Sequence, residues 1–211
     1  MTPLGIIIIV TTILIAVTLH EAMHAFVGYW LGDDTAKQQG RLTLNPLAHL
    51  DPFGSLLLPL ILAIAGLPIF GAAKPVPFNP NRVRYGDWGA AMVALAGPLT
   101  NLVLAILAGI GLRISGLTQD TVAGEIVILF TTVNIGFLVF NMIPFPPLDG
   151  SRVLYALAPQ PVRDVMLRIE SFGLVGVFLL LIFLQGPLGV FLGNSIIFLF
   201  KIFTGLDLVF E

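Results

Sequence analysis

The sequence predicts an all-α polytopic membrane protein with about five transmembrane helices plus one re-entrant hydrophobic segment, six helices if that segment spans. Composition is the first reason. Of 211 residues, 57% are hydrophobic and only 10% charged, where soluble chains carry roughly 25% charged residues. The second reason is a series of uncharged runs close to the roughly 20 residues that a helix needs to cross a bilayer. The third is that short, polar, proline- and glycine-rich loops separate these runs. Ten Lys plus Arg against twelve Asp plus Glu leave a net charge of −2. That excludes a disordered chain and gives no basic surface for nucleic acid. There is no cysteine, so disulfides, thiolate metal sites and cysteine nucleophiles are excluded. Any imidazole site must draw on His20, His24 and His49.

The elements follow in order. Residues 3–31 form the first span, apolar up to Leu19 and again from Ala25 to Leu31. It resembles a signal-peptide core, but no Lys or Arg precedes it and a His-Glu pair interrupts it, so it reads as one uncleaved helix. Residues 32–52 are polar. Residues 52–73 are uncharged but broken by Gly54, Pro59, Gly66 and Pro68, and a loop with Lys74, Arg82 and Arg84 follows. Residues 88–112 form a span whose Gly- and Ala-rich first half suits close helix packing. Residues 122–142 form another. Pro144, Pro146 and Pro147 then stop the helix, and residues 149–168 hold much of the remaining charge. Residues 169–184 and 188–204 are two short apolar runs joined by QGPLG, which predicts a helical hairpin at about 165–205. The chain reads as a single domain over 1–211, with its core at about 1–160. Tyr29, Trp30 and Trp88 fall near span ends and read as interfacial anchors.

The chemistry lies at His20-Glu21-Ala22-Met23-His24, an H-E-x-x-H motif. Histidines at i and i+4 share one helical face, so two imidazoles can meet one metal ion. Neutral imidazole suits Zn²⁺, and the adjacent Glu is placed to act as general base toward a water at the metal. A structural His pair is the bland alternative, but ionisable groups inside a membrane span are costly and usually functional. The third protein ligand must be a carboxylate or His49. Asp149 is the better candidate, because it follows a proline-broken stretch at the end of an apolar span, where irregular backbone is tolerated only against protein or a cavity. Taken alone, an Asp before Gly150-Ser151-Arg152 is more commonly a helix N-cap. His49 reads as a loop or interface histidine.

These residues resemble the site-2 protease family (peptidase M50-type) of intramembrane zinc metalloproteases. The resemblance rests on HEAMH at 20–24 and on NMIPFPPLDG at 141–150, which matches the family pattern Asn-x-x-Pro-x-Pro-x-Leu-Asp-Gly. Ala96-Gly97-Pro98-Leu99-Thr100-Asn101 matches a weaker element, in which Asn101 reads as a helix-packing residue. NPLAHLDPFG and GAAKPVPFNP are similar to the small branch of the family, without PDZ or CBS domains. The resemblance implies His20, His24 and Asp149 as ligands of one Zn²⁺, Glu21 as catalytic base, and Asn141 as a polar group facing the substrate backbone or the developing oxyanion. It implies a transmembrane or membrane-tethered protein as substrate. Residues 36–45 read either as a short membrane-associated β segment that pairs with the unwound substrate by strand addition or as a simple polar loop. The other readings are a membrane zinc hydrolase acting on a lipid or short peptide, and a transporter using the His-Glu cluster as an ion site. A transporter wants inverted repeats, and none is visible.

A common zinc site requires His20, His24 and Asp149 to lie at one depth, so the first span and the 122–142 span must run in the same direction. Residues 52–73 must then enter and leave on one face. With the N-terminus outside, this topology puts nine of the ten positive residues on the cytoplasmic side and only Arg113 outside, as the positive-inside tendency prefers. The expected location is the plasma membrane, with the site opening to the cytoplasm.

Overall fold

The computed structural model describes residues 2–51, 57, 61 and 74–208. The first long helix, α1, is Pro3–Trp30. Proline opens it, where a missing N–H costs nothing, and Thr2 caps it by accepting from the Gly5 amide at 3.2 Å. Two one-turn helices follow, α2 (Thr35–Gln38) and α3 (Pro46–His49). The long α4 is Asp87–Ser115 and closes on Gly116 in the left-handed conformation. It contains Pro98, which removes one backbone donor from the helix interior. Helix α5 is Val122–Asn141, capped by the Thr121 hydroxyl, with Glu125 in its first turn. Three shorter helices follow, α6 (Asp149–Leu157), α7 (Gln160–Glu170) and α8 (Leu174–Phe183). The last, α9, is Gln185–Thr204.

Four of these helices, α1, α4, α5 and α9, are long and apolar enough to cross a membrane. Helix α4 is the hub and packs against α1, α5, α6 and α9. Small residues line its packed face, including Gly89, Ala90, Ala94, Gly97, Ala105 and Gly109. Such residues let helices approach closely where lipid offers no hydrophobic drive. A core of Ala105, Ile135, Val139 and Phe200 ties α4, α5 and α9 together.

Contacts fix the directions. Ala16 meets Asn101 while His24 meets Val93, so α1 and α4 are antiparallel. The six-residue turn from α4 to α5 makes that pair antiparallel as well. Helices α1 and α5 therefore run the same way, as the one-depth requirement predicts. Both flanks of 52–73 meet at one end of the bundle, where the Lys74 amide donates to the His49 carbonyl at 3.0 Å. The expected re-entrant segment itself lies outside the described residues.

Two expectations change. The first is the C-terminal hairpin. Arg113 at the end of α4 donates to the Ile202 carbonyl near the end of α9. Helix α9 therefore runs parallel to α4, and the 142–184 connection leaves and returns at one end of the bundle. Helices α7 and α8 are bent by 96° at their junction. Ten residues of α8 span about 15 Å, half of a hydrocarbon core. The QGPLG stretch is the first turn of α9, with the break at Leu184. Lys201 therefore joins Arg113, and the sorting of positive residues becomes eight to two. The second is the β segment. No strand forms among the described residues. Residues 35–38 are helical, Gly40 turns the chain at φ 68°, and Asn45 caps α3. A single extended stretch has no neighbouring strand to complete its ladder.

Candidate metal centre

His20, Glu21 and His24 lie in the C-terminal half of α1, and Asp149 is the first residue of α6. The residue before α6 is Leu148, so Asp149 is not the helix N-cap. Gly150 fixes its place. A β-carbon there would stand 2.3 Å from the Met142 carbonyl oxygen. The proline-rich loop can therefore fold tightly onto the start of α6, which carries Asp149 to the histidines.

Asp149 Oδ2 lies 3.1 Å from His20 Nε2 and 3.4 Å from His24 Nε2. One ligand atom from each of the three residues falls within 4.8 Å of the other two. Ligand atoms about 2.0–2.1 Å from a tetrahedral zinc stand about 3.3 Å from one another. The spacing fits such an ion.

The proton arrangement leads the same way. The Phe130 carbonyl can only accept, so Asn134 must turn its Nδ2 toward it, at 2.8 Å. Asn134 Oδ1 then accepts from Asn101 Nδ2 at 2.8 Å. Asn101 Oδ1 is thereby left facing His20 Nδ1 at 2.5 Å, so that ring nitrogen carries a proton and donates. The Val93 carbonyl, also acceptor-only, takes the Nδ1 proton of His24 at 2.7 Å. With both Nδ1 atoms protonated, each ring, when neutral, turns its Nε2 lone pair toward the Asp149 carboxylate oxygen, the arrangement that three ligands of one cation need. A carbonyl or amide behind each ligating imidazole is the usual support that sets tautomer and ring orientation.

The surroundings are close-packed. A β-carbon at Gly97 would stand 2.5 Å from Nε2 of both histidines. Only glycine lets α4 pass under the site. His20 and His24 pack edge-on at 4.7 Å between ring centres. Glu21 is half-buried, and its Oε2 accepts from the Val76 amide at 3.2 Å.

The structure brings His20, His24 and Asp149 together, with Glu21 next to His20 on the same helix, while His49 and Asn141 form hydrogen bonds to other partners. His49 is fully buried in the loop region, and its Nε2 donates to the Thr43 carbonyl at 2.9 Å. Asn141 ends α5 and donates to the Phe137 carbonyl one turn earlier at 3.0 Å. Sequence reasoning passed over Gly97 and reduced Asn101 to packing. The small-residue motif AGPLTN that contains both was the available signal.

Comparison with known proteins agrees with this chemistry. No family profile matches the chain, and no solved structure matches it. Curated relatives do. "Putative zinc metalloprotease YwhC" of Bacillus subtilis is 40% identical over 184 residues, 82% of this chain and 78% of that protein. Two proteins of the same designation, both called Rip2, are similar. The one from Mycolicibacterium smegmatis is 32% identical over 83% of this chain and 67% of its own length. The one from Mycobacterium tuberculosis is 31% identical over 90% of this chain and 71% of its own length. The chain belongs to the family of zinc metalloproteases that includes YwhC and Rip2.

Proposed function

We propose that this protein is a zinc-dependent intramembrane endopeptidase that hydrolyses a peptide bond in or near a transmembrane segment of another membrane protein. The observation that carries this reading is the convergence of His20, His24 and Asp149 at the end of an apolar bundle, with Glu21 beside them. These three side chains would hold one Zn²⁺. When bound, zinc polarises a carbonyl and lowers the pKa of water to about 7. Glu21 takes the proton from the attacking water and hands it to the amide nitrogen as that group leaves. Asn141 offers its amide toward the substrate backbone or the developing oxyanion. A transmembrane helix hides its carbonyls in its own hydrogen bonds, so the substrate must unwind locally to present one. The chain would be a small-branch member of the M50 type.

The orientation follows from charge. Lys37, Arg41, Lys74, Arg82, Arg84, Arg152, Arg163 and Arg168 gather at the end of the bundle that holds the site. The positive-inside tendency puts that end in the cytoplasm. Residues 52–73 then form a re-entrant segment, and the natural setting is the plasma membrane.

The test is purified protein in lipid vesicles with a single-span substrate. Cleavage that a chelator abolishes and zinc restores is expected. Cleavage untouched by chelation overturns the reading, as does zinc-dependent turnover of a lipid ester without cleavage of any membrane peptide.

A further inference from the structure

The segment beside Glu21 is Lys74-Pro75-Val76-Pro77-Phe78-Asn79. Its prolines have no N–H, so Val76 supplies the only backbone donor between Lys74 and Phe78. That donor goes to Glu21 Oε2 at 3.2 Å. The strap is pinned on both sides of this bond. Asn79 donates its amide to Asp33 Oδ2 at 2.6 Å, and Lys74 donates its amide to the His49 carbonyl at 3.0 Å. Arg41 holds the two carbonyls immediately before Val76. Its Nη2 donates to Lys74 O, and to Pro75 O at 3.3 Å.

Arg41 is an unusual residue to find there. It is 4% exposed, and its Nε and Nη1 have no hydrogen-bond partner among the described residues. Burying a guanidinium is unfavourable unless its donors are used, and among the described residues the partners of this one are the Lys74 and Pro75 carbonyls. Burial pushes the Arg41 guanidinium below the usual arginine range, and the Glu21 charge works in the opposite direction. The two side chains are therefore within electrostatic reach.

We propose that Arg41 is a positioning residue for Glu21: by holding the Lys74 and Pro75 carbonyls, it aims the Val76 N–H at Oε2 and leaves Oε1 for the attacking water. This rests on the reading of Glu21 as the base. An N–H bond to one oxygen restricts rotation of the carboxylate and fixes which oxygen stays open. That effect does not require Arg41 to touch substrate. The strap holds the base in orientation, and the metal ligands are held separately by Asn101 and Val93.

The experiment compares Arg41→Ala, Arg41→Lys, Val76→Pro and the Arg41→Ala/Val76→Pro double variant with wild type and Glu21→Gln. Each is reconstituted as the full chain with a single-span peptide, and kcat, KM and bound zinc are measured. Arg41→Ala and Val76→Pro should each lower kcat by about tenfold or more, because a misdirected base costs that much in a positioned reaction. KM and zinc content should stay at the wild-type level, and Arg41→Lys should fall between wild type and Arg41→Ala. The double variant should be no slower than the slower single one, since both changes act through one bond. Unchanged kcat, a raised kcat, additive losses, or zinc lost in parallel with activity overturns the proposal. If Arg41→Ala does not fold, Arg41→Lys and Val76→Pro still decide it. Activity retained by Glu21→Gln removes the underlying reading. An inactive Glu21→Gln beside a fully active Arg41→Ala removes only the role of Arg41.

Discussion

Asn101 Oδ1 on α4 accepts the Nδ1 proton of His20 on α1 at 2.5 Å, and that bond turns the His20 Nε2 toward Asp149. Asn101 is fully buried, and it is held in turn by Asn134. Asn101→Ala should therefore act on metal affinity before it acts on chemistry. Loss of such a support typically weakens a metal site by about 10–100-fold. Leaving Asn134 Oδ1 without its donor should cost a further 1–3 kcal/mol or so of stability. Competition for zinc against a graded chelator checks the first effect, and thermal unfolding in detergent checks the second.

Gly97 gives a steric prediction. Gly97→Ala places a methyl group 2.5 Å from both Nε2 atoms, so one imidazole must swing away. Bound zinc and cleavage should both be lost. Gly111→Ala on the same helix is the control, because a β-carbon there meets nothing within 4 Å. It should leave zinc content and activity unchanged. Equal zinc occupancy in the two variants would contradict the site geometry.

Gly150 gives a prediction about the loop. Gly150→Ala pushes a β-carbon to 2.3 Å from the Met142 carbonyl, and a backbone atom cannot move aside as a flexible side chain can. The strain should destabilise the protein by about 1–3 kcal/mol and shift Asp149 away from the histidines. The expected outcome is reduced zinc stoichiometry together with a lower unfolding temperature.

Topology can be tested directly, because the chain has no cysteine of its own. Leu47→Cys and Lys74→Cys, at exposed positions flanking 52–73, should label from one membrane face. Ile114→Cys, which is 81% exposed at the far end of α4, should label from the other. Labelling of positions 47 and 74 from opposite faces would show that 52–73 crosses.

These outcomes also show what could be read in advance. His20, Glu21 and His24 were legible because a helix repeats locally, so spacing alone puts both imidazoles on one face. Asp149 needed the proline-broken stretch and the family resemblance, since the residue type also suits a helix cap. Asn101 and Gly97 could not be separated from ordinary helix packing. Their roles exist only because α4 crosses α1 at that height, a fact no local pattern carries. The strap held by Arg41 joins positions 21, 41 and 76, which are far apart in the chain. Apolar content could not distinguish the bent pair α7–α8 from a crossing. For the same reason Lys201 was assigned to the wrong end of the bundle until the contact between Arg113 and Ile202 placed it.

The central claim is that Glu21 moves the proton while His20, His24 and Asp149 hold the metal. Glu21→Gln keeps the size of the side chain and removes its basicity. Zinc content and cleavage of a single-span substrate, measured on the same Glu21→Gln preparation, test the claim most directly. Zinc at the wild-type level and no cleavage are expected. Cleavage at the wild-type rate, or a wild-type protein that holds no zinc when purified without chelators, would contradict it.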